Sequence, residues 1–154
     1  VETLQFLDNI YFNSIKKRPR LNKTETTAWL KDIAVKEGFT IMSLSYTFCN
    51  DDYLLEINRE HLNHDYLTDI ITFDLSDMGN LIDGDIYISI DRVKDNAKQM
   101  KVSPNLELKR VMAHGLLHLM GYDDKTNGGK IEMRAKEDEC LALIQNHVPR
   151  ETTS

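Results

Sequence analysis

The sequence predicts an α+β fold, an α/β sandwich in which a small mixed sheet of about four strands is packed with helices. Three observations carry this reading. Two β-rich runs, Ile41 to Cys49 and Gly84 to Ile90, alternate with the two-residue period of strands. Stretches of helical spacing with recognisable caps and stops lie between and after them. No internal repeat or low-complexity segment interrupts the chain, and its 154 residues, 41% hydrophobic and 29% charged, suit one domain spanning 1–154.

Taken in order, Thr3 to Leu7 alternates loosely and is expected as a short first strand, while Asn9 to Ser14 fits either element. The basic segment around Pro19 is extended or turn. Thr24 is expected to cap a helix, with Thr27 in place of the capping-box acid, Trp29, Leu30, Ile33 and Ala34 inward, and Gly38 as the stop. In the strand after it, Ile41, Ser43, Ser45, Thr47 and Cys49 share one face, and Met42, Leu44, Tyr46 and Phe48 the other. Asn50 and Asp51 then cap a helix with Tyr53, Leu54, Ile57 and His61 at helical spacing, so that His61 is expected to pack.

Asn63 to Thr68 reads as a polar connector, Ile70 to Phe73 as a short strand, and Ser76 to Asn80 as a loop before the run of Ile86, Ile88 and Ile90. Asp91 or Asp95 is expected to start the next helix, with Val93 and Ala97 inward and Lys94, Lys98 and Lys101 outward. Ser103-Pro104 places a cap and a first-turn proline ahead of a long helix, with Glu107 in its acidic first turn. Lys125 to Gly129 reads as loop and Ile131 to Ile144 as a terminal helix, with Met133, Leu141 and Ile144 inward. His147 and the residues from Val148 onward are expected as tail.

Composition narrows the function classes. A net charge of −6 opposes non-specific binding to DNA or to a membrane surface, since affinity for phosphates requires their neutralisation. Lys16, Lys17, Arg18, Arg20 and Lys23 nevertheless form a local basic run with no acid among them, either a solvated connector or a contact for a phosphate chain. No apolar run reaches the length of a membrane span, and the first residues lack a signal-peptide pattern. Cys49 and Cys140 read as small buried hydrophobes in a reducing compartment, so the expected location is cytoplasmic.

The chemistry concentrates between His114 and Asp124. From Val111 to Met120 only His114 and His118 are neither apolar nor Gly, and four residues is one helical turn, so both imidazoles leave one face of a mostly buried helix. Rings in that position need partners, and a divalent metal supplies one by taking a nitrogen lone pair from each. Gly121 provides the stop that returns Asp123 and Asp124 toward the rings, and either carboxylate completes a three-ligand set. Such a set leaves a coordination position open for water, as catalytic zinc sites do. Gly115 stands where the protease motif H-E-x-x-H has its general-base Glu, which argues against a peptidase of that type.

The run from His114 to Asp124 resembles the H-G-x-L-H-L-x-G-Y-D-H signature of the YbeY family, bacterial single-strand-specific metal-dependent endoribonucleases of ribosomal RNA maturation and ribosome quality control. Asn58, Asp65, the segment Thr68-Asp69-Ile70-Ile71-Thr72-Phe73 against T-D-V-L-S-F, and Gly84-Asp85-Ile86 against G-D-I follow in the family's order. These matches run from about Cys49 to the terminal helix. The resemblance implies one zinc ion on His114, His118 and Asp124, a substrate of single-stranded RNA, and ribosomal RNA and the small ribosomal subunit as partners.

Two positions depart from the family pattern. Asp124 stands where the family usually has a third histidine, and its charge makes a bound water less acidic. The arginine of the family's R-G-K-D segment falls on Leu62; Arg59, one helical turn earlier, is the expected catalytic substitute. Asp69, Asp85, Asp123 and His64 are candidate bases, none of them assigned. A ribosome-associated RNA-binding factor with a structural metal, or a hydrolase of a non-nucleic substrate, are the competing readings.

Overall fold

A computed structural model describes residues 9–147. The expected strand at Thr3 to Leu7 and the tail from Val148 lie outside the described residues. The described residues form four strands, β1 (Ile10–Ser14), β2 (Thr40–Cys49), β3 (Ile70–Asp74) and β4 (Leu81–Ser89), and five helices. The helices are α1 (Lys23–Lys36), α2 (Asp51–Leu62), α3 (Ile90–Met100), α4 (Pro104–Leu119) and α5 (Asn127–Ala142), the last continued by a 3₁₀ turn at Leu143–Asn146. The order along the chain is β1-α1-β2-α2-β3-β4-α3-α4-α5. The sheet order is β1-β2-β4-β3; β1, β2 and β4 run parallel and β3 antiparallel to β4. This is the mixed four-stranded sheet that the alternating runs imply, and Asn9 to Ser14 resolves as its edge strand.

Two apolar clusters divide the layers. The larger joins Leu44, Tyr46, Phe48, Ile86 and Ile88 to Trp29, Leu30, Val93, Met112 and Leu116, so α1, α3, α4 and α5 share one face of the sheet. The smaller joins Cys49 and Ile71 to Leu54 and Ile57, so α2 covers the other. Buried donors find partners across the layers: Tyr46 Oη donates to the Met112 carbonyl at 2.9 Å, and Trp29 Nε1 to the Cys140 carbonyl at 2.7 Å. Among the described residues no helix is long and apolar enough to cross a membrane.

Several expectations are corrected locally. Asn22, not Thr24, caps α1: its backbone is extended and its side chain accepts from the Glu25 N–H, leaving Thr24 already helical. In β2 the pairing with β4 shifts between Ile41 and Ser43, and this bulge turns Met42 to solvent while Ile41 joins Leu44 and Tyr46 in the core. Ser89, rather than Asp91 or Asp95, caps α3, so Ile90 continues the core as the first helical residue and not as strand. Thr126 caps α5, which takes in Asn127, Gly128 and Gly129 instead of leaving them as loop. His61 is exposed and only meets the edge of Phe73, and His147 is held 3.3 Å from Asp32 instead of belonging to a free tail.

The placement of α4 against the sheet depends on one small residue. A Cβ on Gly115 would lie 2.8 Å from Ile70 Cδ1 and 2.9 Å from Ile86 Cδ1, so glycine lets the helix backbone approach β3 and β4 without displacing these side chains. The capping pair is as expected: Ser103 accepts from the Leu106 N–H and Pro104 takes the first turn.

Candidate metal centre

His114 and His118 leave α4 side by side, their ring centroids 4.6 Å apart and their Nε2 atoms 3.0 Å apart. Gly121, at φ +100°, ends the helix and returns the chain, with its N–H on the His118 carbonyl and the Tyr122 N–H on the Leu117 carbonyl. Tyr122 anchors the returning loop by donating from Oη to Glu37 Oε1 at 2.6 Å. Asp124 then faces the rings, its Oδ2 3.5 Å from His114 Nε2 and its Oδ1 3.8 Å from His118 Nε2.

One ligand atom from each of these three residues lies within 4.8 Å of the others, so the group could hold a metal ion. Tetrahedral zinc with bonds of about 2.1 Å sets its ligand atoms ~3.4 Å apart, close to the 3.0, 3.5 and 3.8 Å found here. Asp123, the other acid of the pair, turns away: its Oδ1 accepts from the Lys125 N–H, and its carbonyl backs onto Gly129, where a Cβ would meet it at 2.8 Å.

The remaining imidazole nitrogen explains why the donors point inward. His114 Nδ1 donates to Glu137 Oε2 at 2.6 Å, which fixes the tautomer and leaves the Nε2 lone pair as an acceptor facing His118 and Asp124. Glu137 is buried on α5 and takes a second bond from Arg110 Nη1 at 3.0 Å, while Arg110 Nη2 reaches Asp138 at 2.9 Å. Burial alone would raise the Glu137 pKa, but the hydrogen bonds from His114 and Arg110 hold it below the ordinary carboxylate range. Burial opposes a charge on His114, yet the bond to Glu137 and the charges of Glu137 and Asp124 outweigh it and raise its pKa. His118 shifts down, through burial and the neighbouring His114 charge.

His114 and Asp124 open onto a cavity of about 420 Å³, whose wall also includes Asp69, Asn96, Glu107, Arg110, Arg134 and Glu137. Burial pushes the Asp69 carboxyl above its ordinary pKa despite the nearby His114, and Asn96 Nδ2 donates to its Oδ2 at 3.3 Å. Glu107 is likewise raised by burial, with the Asp69 charge adding to it.

Of the residues expected here, His114, His118 and Asp124 come together, and Asp69 shares the cavity wall with His114 and Asp124. Asp85 alternates onto the sheet face opposite α4, since its neighbours Gly84 and Ile86 meet that helix. His64 stacks on Tyr66 in the exposed connector. Arg59 does not line the cavity; its Nε is held 2.6 Å from Asp65, and Leu62 ends α2 partly exposed. The basic run lies elsewhere: Lys16, Lys17, Arg18 and Lys23 line a second cavity of about 570 Å³ beyond the ends of β1 and β2, which shares no wall residue with the first.

Sequence reasoning missed Glu137, Arg110 and Arg134. Signals for two of them were present. Arg110 precedes His114 by one turn on the same helix, and Glu137 follows the inward Met133 by one turn, an acid on an apolar face.

The solution structure of TM1509 from Thermotoga maritima superimposes with a TM-score of 0.64 at 24% identity, covering 88% of this chain and 89% of that one, and so shares the fold. The endoribonuclease YbeY of Cytophaga hutchinsonii is 57% identical over 121 residues, 79% of this chain and 85% of its own. That of Phocaeicola vulgatus is 48% identical over 128 residues, 83% and 92% of the two chains. The family model described as endoribonuclease YbeY matches residues 11–145, which take in the sheet, α4 with its paired histidines, and α5 with Glu137; the chain belongs to the YbeY family of endoribonucleases.

Proposed function

We propose that this protein is a zinc-dependent endoribonuclease that cleaves single-stranded RNA in the cytoplasm during ribosomal RNA maturation and ribosome quality control, with the small ribosomal subunit as partner. The observation that carries the reading is the convergence of His114, His118 and Asp124 on one point beside an open cavity, with Glu137 orienting the first imidazole. The YbeY relatives supply the reaction class. Two buried cysteines, neither of them in a disulfide, fit a reducing compartment.

When bound there, the metal supplies a Lewis acid for a phosphoryl oxygen and a water of lowered pKa. The chain's own residues prepare that chemistry. Glu137 keeps the His114 proton on Nδ1, and Arg110 keeps Glu137 ionised and in place. Asp69 lies on the same wall with its carboxyl pushed up by burial, which makes it the candidate among the expected bases for exchanging a proton with a bound phosphodiester. Two imidazoles and one carboxylate leave a fourth position free, which favours turnover over a purely structural metal.

Purified protein and its His114→Ala variant, each with zinc and with chelator, are compared on a single-stranded RNA. Cleavage is expected only from the parent with metal. Equal cleavage by both, with contaminating nuclease excluded, would refute the reading, and zinc bound without turnover would favour the structural-metal alternative.

A further inference from the structure

Phosphodiester cleavage needs a cation that meets the substrate's charge, and the cavity wall leaves that requirement open. Four carboxyl groups, Asp69, Glu107, Asp124 and Glu137, face two guanidinium groups. Even a divalent ion on the histidines leaves an incoming phosphate against a wall with no excess of positive charge.

The two wall arginines differ in their engagement. The Arg110 side chain is 16% exposed and is committed to Glu137 and Asp138. The Arg134 side chain is 57% exposed and approaches Glu137 Oε1 only to 3.9 Å, too far for a hydrogen bond. Arg59 is equally exposed, yet it is bonded to Asp65 at 2.6 Å and is absent from the cavity wall. Arg134 precedes Glu137 by three residues on α5, so its guanidinium hangs over the carboxylate whose other oxygen holds His114. The wall therefore runs from the exposed Arg134 guanidinium through Glu137 to the His114 imidazole.

We propose that Arg134 binds the substrate phosphodiester beside the His114 and Asp124 cavity, supplying from α5 the uncommitted cation of its wall. A planar guanidinium can grip two phosphate oxygens at once, which a lysine ammonium cannot. This inference rests on the endoribonuclease reading above.

The test compares the parent with Arg134→Ala, Arg134→Lys and Arg59→Ala. It measures zinc affinity, melting temperature, RNA cleavage, and binding of a 2′-O-methyl single-stranded oligonucleotide that resists cleavage, over a range of salt. Arg134→Ala is expected to keep its zinc affinity and melting temperature. Its kcat/KM should fall about 10- to 100-fold, as for loss of a charged hydrogen bond, and its salt slope for oligonucleotide binding should shrink by about 0.7. Arg134→Lys should recover part of both. An active parent with an equally active Arg134→Ala overturns this inference alone, as does a larger loss in Arg59→Ala, or a loss that merely tracks zinc affinity or melting temperature. A zinc-loaded parent that cleaves no RNA overturns the endoribonuclease reading and this inference with it.

Discussion

The ligand helix α4 and the connector between α2 and β3 both carry residues of the YbeY pattern, yet they are held in opposite ways. Along α4, Val111, Met112, Leu116 and Leu117 are buried, Gly115 lies against two isoleucines, and His114 is tied to a buried carboxylate on another helix. At the end of α2 and in the connector after it, Arg59 and Asp65 are exposed and hold chiefly each other, while His64 stacks on Tyr66 in solvent. A side chain fixed by several buried neighbours keeps its aim, and replacing it disturbs all of them. A solvent-facing cation contributes charge, which another element can provide. The contrast explains how His114, His118 and Asp124 can stay converged while a leucine, Leu62, stands at the end of α2 where the resemblance would have an arginine.

Substitutions on the buried side of that contrast should cost most. Removing either imidazole, by His114→Ala or His118→Ala, should abolish stoichiometric zinc binding and reduce RNA cleavage to background, measured by equilibrium dialysis and gel assay. Glu137→Gln keeps the volume but loses the charge that orients His114, and zinc affinity should fall about 10- to 100-fold; unchanged affinity would mean the imidazole needs no such partner. Gly115→Ala inserts a methyl between α4 and the sheet and should destabilise the fold by about 1–3 kcal/mol, whereas Gly79→Ala, where nothing lies within 4 Å, should be silent in thermal melts. On the exposed side, Asp65→Asn removes a surface ion pair and should shift stability by less than about 1 kcal/mol; a larger shift would erase the distinction between the two regions.

A pH series probes the buried region again. Burial raises the native pKa of Glu107, so between its unfolded and native values the folded chain binds more protons than the unfolded chain. Its contribution to stability is complete below the ordinary carboxylate range and is lost as pH rises through the native value. Urea denaturation of Glu107→Gln should therefore show the variant gaining on the parent as pH rises, and parallel pH profiles would contradict the assignment.

Legibility in the sequence followed locality. His114 and His118 declare themselves because a helix alone determines their relation, and Ser103-Pro104 and Asn50 declare helix starts for the same reason. Asp124 needed the family pattern to be chosen over Asp123, since only the packing of Gly129 against Asp123 shows which acid turns inward. The bulge at Met42 was hidden because register is set by pairing with β4, not by β2 itself. Ile90 extended the strand pattern and masked the Ser89 cap, while the glycines after Thr126 suggested loop where the cap starts a helix. Glu137 lies 23 residues beyond His114 and Arg134 on the same distant helix, so their place at the site depends on how α5 packs against α4.

If His114, His118 and Asp124 hold a metal on which RNA cleavage depends, activity and metal occupancy must rise together. Zinc titrated into metal-free protein, with single-turnover cleavage of a single-stranded RNA followed at each addition, reads both at once. Activity should rise linearly and saturate at one equivalent in the parent, with no rise in His114→Ala. Cleavage that is independent of zinc and survives in His114→Ala would contradict the metal's role.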